Sequence, residues 1–321
     1  PAGYDITFQP FISYSPTDTH TRAGIVGLLN TLLVAISGIV IATVLGFTMG
    51  VLRLSNNWLI NRIVYVFLEF TRNVPVLLHI LFVYGIFVYT LPVPKKAINI
   101  SDSVFLSNRG FYTPAPIFED GFKYVLFSIM TAIFIVILFA RWARKKQDAT
   151  GKIYPVFYIS LVILTSFPIL TFLISGSPMS IDVPALKGFN FKGGIKLIPE
   201  LVALTFALSM YTASFIAEVV RAGIQAVSLG QTEAARSLGL NPNQILRLVI
   251  IPQALRVIVP PLTNQYLNLT KNSSLAAAIA YPDLVLVFAG TALMQTGQAI
   301  EIIGMVMGVY LFLSLMTSII M

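Results

Sequence analysis

Long apolar runs alternate with short polar ones along most of the chain, and most of the runs match the length of a bilayer crossing. They are Ala23–Leu52, Arg62–Leu91, Phe122–Ala140, Tyr154–Ile174, Leu197–Ile224, Ile250–Leu269 and Ala299–Met321. A helix needs about 20 largely apolar residues to cross the hydrocarbon core, so each run predicts a transmembrane span. The alternating segments of about ten residues that mark a membrane β-barrel are missing. The pattern predicts an all-α polytopic membrane protein.

The polar segments fix the connections. Residues 1–22, with Pro10 and Pro16, read as an extended extracytoplasmic lead-in. Pro92–Gly121 and Ser175–Lys196, rich in Pro, Gly, Ser and mixed charge, read as external loops. In the first span Gly38, Ala42, Gly46 and Gly50 recur every four residues, which lines small residues along one face and predicts close helix packing. Gly304 and Gly308 repeat that motif in the last span. The run from Ile250 contains Pro252, Pro260 and Pro261, meets the polar stretch Thr270–Ser274, resumes as Leu275–Ala280 and breaks at Tyr281-Pro282-Asp283. It predicts a discontinuous helix, which is tolerated only where freed backbone groups are buried in protein or face a water-filled cavity.

Composition agrees. Of 321 residues 56% are hydrophobic and 11% charged, with mean hydropathy +0.84, against about 25% charged in ordinary soluble domains. The net charge of +8 does not point to nucleic acid, because the cations sit beside apolar spans. The densest group, Arg141, Arg144, Lys145 and Lys146, marks a cytoplasmic end by the positive-inside rule and sets the alternation of the other loops. With no cysteine and only His20 and His79, disulfides, thiolate chemistry and a metal centre are not expected. The sequence reads as trimmed at Pro1 and at Met321, which is compatible with a missing targeting or first transmembrane segment.

Alternation places loop 225–251 in the cytoplasm, and its part Gln225–Arg247 is conspicuously less apolar than its surroundings. Here Glu233-Ala234-Ala235-Arg236-Ser237-Leu238-Gly239 reads as a short amphipathic helix with Ala234, Ala235 and Leu238 on one side, stopped by Gly239. A second short helix begins near Asn241-Pro242. Glu-Ala-Ala, a glycine six residues after the glutamate and an apolar segment ending in Pro252 resemble the EAA loop of bacterial ABC importer permeases. The flanks Tyr211–Ile224 and Pro252–Ser274 extend the likeness, as does Glu69-Phe70-Thr71-Arg72-Asn73-Val74-Pro75. The whole chain is similar to the larger permease subunit of general L-amino-acid importers.

That resemblance implies a type I ABC importer permease fold with a long two-helix insertion. It divides the chain into the lead-in 1–22, two transmembrane helices over 23–91, the insertion 92–196 and the core segment 197–321. It implies coupling to an ATPase through Glu233, Ala234, Ala235, Arg236, Gly239, Asn241 and Pro242. It further implies a multi-pass protein of the bacterial inner membrane, a second homologous permease, ATPase subunits that hold ATP and Mg, and an extracytoplasmic amino-acid-binding protein.

The chain itself lacks a G-x-x-x-x-G-K-[ST] phosphate loop. Gly188–Gly194 is glycine-rich but continues as Ile195-Lys196. No nucleophile–base set assembles either, so the chain reads as a transport subunit and not an enzyme. Asn264, Asn268, Lys271, Asn272, Ser273 and Ser274, with Gln265 and Thr270 beside them, form the candidate substrate site. Lys271, or a half-helix beginning after Asn272, suits an α-carboxylate, and the amide oxygens or a carboxylate suit an α-amine. Alternatively Lys271 pairs internally with Glu218 or Asp283, and the amides stitch helices together. No carboxylate neighbours Lys271 in sequence, which predicts a broad or neutral-to-acidic amino-acid range rather than a cationic one. Glu69 with Arg72 and Glu218 with Arg221, each three residues apart, read as ion pairs. The competing reading is an ion- or proton-coupled secondary amino-acid transporter using Glu69, His79 or Glu218. It predicts inverted repeats, and none is visible.

Overall fold

The computed structural model describes residues 2–320; Pro1 and Met321, the ends of the predicted lead-in and last span, lie outside the described residues. The chain divides into two compact units. One contains the residues up to Leu91, Ser107–Gly110 and the residues from Leu197 onward; the other contains Pro92–Leu106 and Phe111–Lys196. Among the described residues six helices are long and apolar enough to cross a membrane, and a bent pair adds a seventh crossing if counted as one span.

In the first unit α1 (His20–Leu52) starts three residues before the predicted span, at a turn where the Thr19 hydroxyl accepts the Arg22 amide. Its small-residue stripe packs as predicted. A Cβ on Gly46 would lie 2.5 Å from Ile216 Cγ2, and one on Gly50 would lie 2.7 Å from the Ala217 carbonyl. Both neighbours belong to α6 (Pro199–Gln225), the most buried helix, which opens with proline at its first turn. Two cores flank α6. Val34, Ile80, Leu204, Leu208 and Tyr281 form one, and Ala213, Ile216, Val220, Ile258 and Leu269 the other.

The predicted single span Arg62–Leu91 is two helices, α2 (Trp58–Asn73) and α3 (Val76–Thr90), bent by 107°. The cause is Pro75, whose ring disfavours the helical region for the residue before it. Val74 is accordingly extended, at φ −99° and ψ 134°. The lead-in also differs from the extended segment predicted. It folds back on itself, with Ala2 N–H donating to the Asp18 carbonyl (2.7 Å) and the Tyr14 hydroxyl to the Tyr4 carbonyl (3.1 Å). Ala2, Ile6 and Tyr14 are buried against Ala23 and Val26. That burial, with Tyr14 nearby, pushes the Tyr4 hydroxyl up to about 12.

The second unit holds α4 (Phe122–Thr150) and α5 (Val156–Ile174), packed as a hairpin. α4 runs ten residues past the predicted end at Ala140, through the basic cluster to Gly151 in the left-handed region. The external segments, expected as loops, hold short strands: β1 (Ile98–Ser101), β2 (Val104–Ser107), β3 (Gly110–Thr113), β4 (Ala115–Phe118), β5 (Met179–Asp182), β6 (Ala185–Lys187), β7 (Asn190–Lys192) and β8 (Ile195–Leu197). Antiparallel pairing of β4 with β5, Ala115 opposite Asp182 and Phe118 opposite Met179, ties the two external segments together. Phe191 stacks on Phe105 and meets Tyr112 at a tilt, ring centres 4.5 and 4.8 Å apart, and the Tyr112 hydroxyl donates to Asn190 (2.6 Å). The glycines of Gly188–Gly194 make turns, all three with positive φ. Gly194 has φ +66° and a Cβ there would lie 2.4 Å from the Thr113 carbonyl.

Candidate coupling loop and translocation path

After α6 the chain makes α7 (Leu229–Ser237), which ends as its sequence predicts. Gly239 has φ +78°, its N–H donates to the Arg236 carbonyl (2.9 Å) and the Leu240 N–H to the Ala235 carbonyl (3.2 Å). These two bonds close a Schellman motif, which uses carbonyls the helix end would leave orphaned. Asn241 then starts α8 (Pro242–Ile245) with a reciprocal capping box: its side chain accepts the Gln244 amide and the Gln244 side chain accepts its own, both at 3.0 Å. A π-helical turn, Leu246–Ile250, leads into α9 (Ile251–Asn272).

The loop presents most of its predicted residues outward. Glu233, Ala234, Arg236 and Gly239 are exposed, and Leu238 is 81% exposed. The predicted face is corrected at one position. Ala235 is 4% exposed and turns inward, because neighbouring residues on a helix point about 100° apart. Ala234 and Leu238, one turn apart, share the open face. The Gln253 side chain of α9 donates to Gln231 of α7 at 3.4 Å, a contact that sequence spacing did not reveal.

The predicted interruption at Thr270–Ser274 is also corrected. α9 runs through it and tightens into a 3₁₀ segment, Ser273–Ile279, ending at Ala280 in the left-handed region. The hydroxyls that looked like ligands bond their own helix: Thr270 donates to the Tyr266 carbonyl (2.9 Å), Ser273 to Thr270 (2.7 Å) and Ser274 to Lys271 (2.7 Å). No free half-helix begins after Asn272, so no unbonded N–H row is there for a carboxylate. Asn264, Asn268 and Lys271 form one exposed stripe along α9, Asn272 and Ser274 are half-buried at its edge, and Ser273 is 1% exposed on the opposite side.

Lys271 has no ion-pair partner among the described residues. The alternative partners are otherwise engaged or remote: Glu218 takes three hydrogen bonds from the Arg221 guanidinium, and Asp283 is fully buried. With Ser274, Lys271 lines a groove of about 470 Å³ against Val306 and Tyr310 of α11 (Ala299–Ile320). The expected pair Glu69–Arg72 forms at 3.5 Å. His79 sits between the rings of Phe70 and Tyr211, 6.3 and 5.9 Å away, with Nδ1 3.3 Å from the Pro75 carbonyl.

The break at Tyr281-Pro282-Asp283 stands where the sequence puts it, but its support on α1 went unread. Asn30 donates to the Phe8 and Pro282 carbonyls (3.1 and 2.9 Å), Tyr281 donates to the Asn30 carbonyl (3.2 Å), and Thr31 accepts the Leu284 amide (3.1 Å). An Asn-Thr pair inside a long apolar span was the available signal. α10 (Leu293–Thr296) and Gly297 then turn the chain into α11. Gly304 and Gly308, expected to pack, have nothing within 4 Å of a built Cβ. Among the described residues no group of three or more His, Asp or Glu is placed to hold a metal ion.

Several apolar crossings, broken helices and an exposed capped helix on the loop between two spans define a membrane permease. The model of the family described as "Binding-protein-dependent transport system inner membrane component" matches residues 149–321, and the chain belongs to that family. It is a permease subunit of an ABC transporter of the inner membrane. It is 54% identical to the putative amino-acid ABC transporter permease protein YhdX of Escherichia coli (strain K12), over 100% of this chain and 81% of that one. It is 49% identical to the general L-amino acid transport system permease protein AapQ of Rhizobium johnstonii, over 100% and 80%. It is 45% identical to the glutamate/glutamine/aspartate/asparagine transport system permease protein BztB of Rhodobacter capsulatus, over 99% and 81%. A solved structure described as "Crystal structure of an amino acid ABC transporter with histidines" superposes with TM-score 0.54 at 20% identity, over 94% of this chain and 92% of that one; at that identity the likeness shows the fold.

Proposed function

We propose that this chain is one of two related permeases in an importer that moves L-amino acids inward, driven by ATP hydrolysis on separate ATPase subunits and fed by an extracytoplasmic amino-acid-binding protein. ATP and Mg belong to the ATPases. The observation that carries the reading is the exposed face of α7, rigidly capped at both ends of its turn and linked to α9 through Gln231 and Gln253. Force applied to Ala234 and Leu238 by an ATPase passes into α9, the helix bearing Asn264, Asn268 and Lys271. An exposed polar stripe within the hydrocarbon zone is unfavourable toward lipid, so we assign it to a path shared with the second permease.

The substrate range follows from charge. Lys271 offers a cation with no carboxylate beside it, which suits the α-carboxylate of neutral and acidic amino acids and disfavours a second cation. The amino acids in one relative's name, glutamate/glutamine/aspartate/asparagine, fall within that range. The test is uptake of a labelled neutral amino acid by the reconstituted complex, with competition by acidic, neutral and cationic ones. ATP-dependent uptake blocked by neutral and acidic competitors supports the reading; competition by cationic amino acids alone overturns the charge argument while leaving the importer.

A further inference from the structure

The α4–α5 hairpin has arms of unequal length. α5 has 19 residues and α4 has 29. At about 1.5 Å per residue α5 is about 28 Å long, close to one hydrocarbon core, and α4 about 43 Å. The excess is Arg141–Thr150, and it carries Arg141, Arg144, Lys145 and Lys146; Lys152 follows in the turn, and Asp148 is the one carboxylate. All five cations are exposed, and none has an ion-pair partner among the described residues.

An aromatic platform marks the level at which these cations begin. Trp142 stacks on Phe139 and meets Tyr154 at a 52° tilt, ring centres 5.8 and 5.1 Å away, and Lys152 lies 5.7 Å from the Tyr154 ring centre. Trp and Tyr favour the headgroup level of a bilayer. On the hydrocarbon side of the platform α5 has no buried residue, and Phe134, Ile137 and Leu138 of α4 are exposed. Cations, rings and apolar face thus follow one another in the order of a phospholipid: phosphate, glycerol region, acyl chain.

We propose that the cytoplasmic end of this hairpin is a binding site for anionic phospholipid, with the phosphate held by Arg141 and Lys145, one turn apart on the Trp142 side of α4, together with Lys152 beside the Tyr154 ring, and the acyl chains along α5. An arginine takes a phosphate through two parallel hydrogen bonds and lysines add point charge. A lipid of net negative charge gains from all of them, whereas a zwitterionic one brings its own cation. A purely topogenic role for the cluster requires positive charge but no saturable choice between lipids.

The chain has two tryptophans, Trp58 and Trp142, so W58F leaves Trp142 as the single reporter. The full chain carrying W58F is reconstituted in vesicles containing either brominated phosphatidylglycerol or brominated phosphatidylcholine at the same mole fraction, and quenching of Trp142 is measured. The site predicts half-maximal quenching at about tenfold lower phosphatidylglycerol than phosphatidylcholine. R141Q/K145Q/K152Q abolishes that preference, and R141K/K145R/K152R keeps it. Equal quenching by the two lipids, in W58F alone, overturns the proposal without recourse to the triple variants. It is also overturned if millimolar inorganic phosphate removes the preference, which marks a site for free anions, or if the preference survives R141Q/K145Q/K152Q.

Discussion

Glycine to alanine is the same chemical change at Gly50 and Gly308, and the fold assigns it opposite signs. At Gly50 the new methyl would lie 2.7 Å from the Ala217 carbonyl oxygen and 2.8 and 2.9 Å from Val220 Cβ and Cγ1. Ala217 and Val220 are 0% and 1% exposed; the first atom is backbone, and the valine's β-branch leaves its Cβ and Cγ1 little freedom to move aside. Restoring ordinary contact near 3.4 Å requires α1 and α6 to separate by about 0.7 Å, a gap that forfeits a quarter to a half of the attraction at each facing atom pair. Overpacking of this kind costs about 1–3 kcal/mol, and three short contacts put Gly50 near the top. The better helix propensity of alanine offsets about 1 kcal/mol, leaving Gly50→Ala destabilised by about 2 kcal/mol. At Gly308 nothing lies within 4 Å, so only the propensity gain remains, about 1 kcal/mol in the opposite direction. Denaturant unfolding of the isolated chain in micelles, followed by circular dichroism, reads both. Equal shifts, or a gain at Gly50, refute the packing of α1 on α6.

Three further outcomes are expected. Gly239→Asp leaves the spans folded but removes most ATP-driven uptake, because a carboxylate is added at the end of the exposed face of α7; uptake at the normal rate rules out the coupling assignment. Lys271→Gln raises the KM for neutral and acidic amino acids alike, because both carry the α-carboxylate assigned to Lys271, and an unchanged KM for both removes Lys271 from substrate recognition. Asp283→Asn keeps the oxygen that accepts the Leu286 amide (2.8 Å) and introduces no unpaired charge, so it changes stability by less than about 1 kcal/mol, whereas Asp283→Ala costs about 1–3 kcal/mol; melting curves that rank the two the other way contradict this account of the break.

What could be read from the sequence was what local chemistry alone decides. The Gly239 stop, the Asn241-Pro242 start and the Gly46 and Gly50 seam depend on a glycine's left-handed freedom, a cap and a missing Cβ, and these act within a turn or across one helix contact. Hydropathy averaged over Arg62–Leu91 hid the bend, although Asn73-Val74-Pro75 held the signal in its pre-proline residue. The candidate substrate set was split for a geometric reason. A helix turns about 100° per residue, so Ser273, nine residues beyond Asn264, points half a turn away from it. Asn268 and Lys271 stay on Asn264's side. Strands of three or four residues such as β6 and β7 are too short for alternation to show, and their pairing depends on partners elsewhere in the chain.

The central claim is that α7 delivers an ATPase's motion to the membrane through its exposed face. The chain has no cysteine, so Ala234→Cys and Ala235→Cys each introduce a single thiol, one residue apart, on the exposed and the 4% exposed side of the same helix. In the assembled complex, with a short reagent that is thiol-reactive at one end and photoactivatable at the other, efficient cross-linking of Ala234→Cys to the ATPase is expected and little from Ala235→Cys. Equal yields from the two positions, or none from Ala234→Cys, would contradict it.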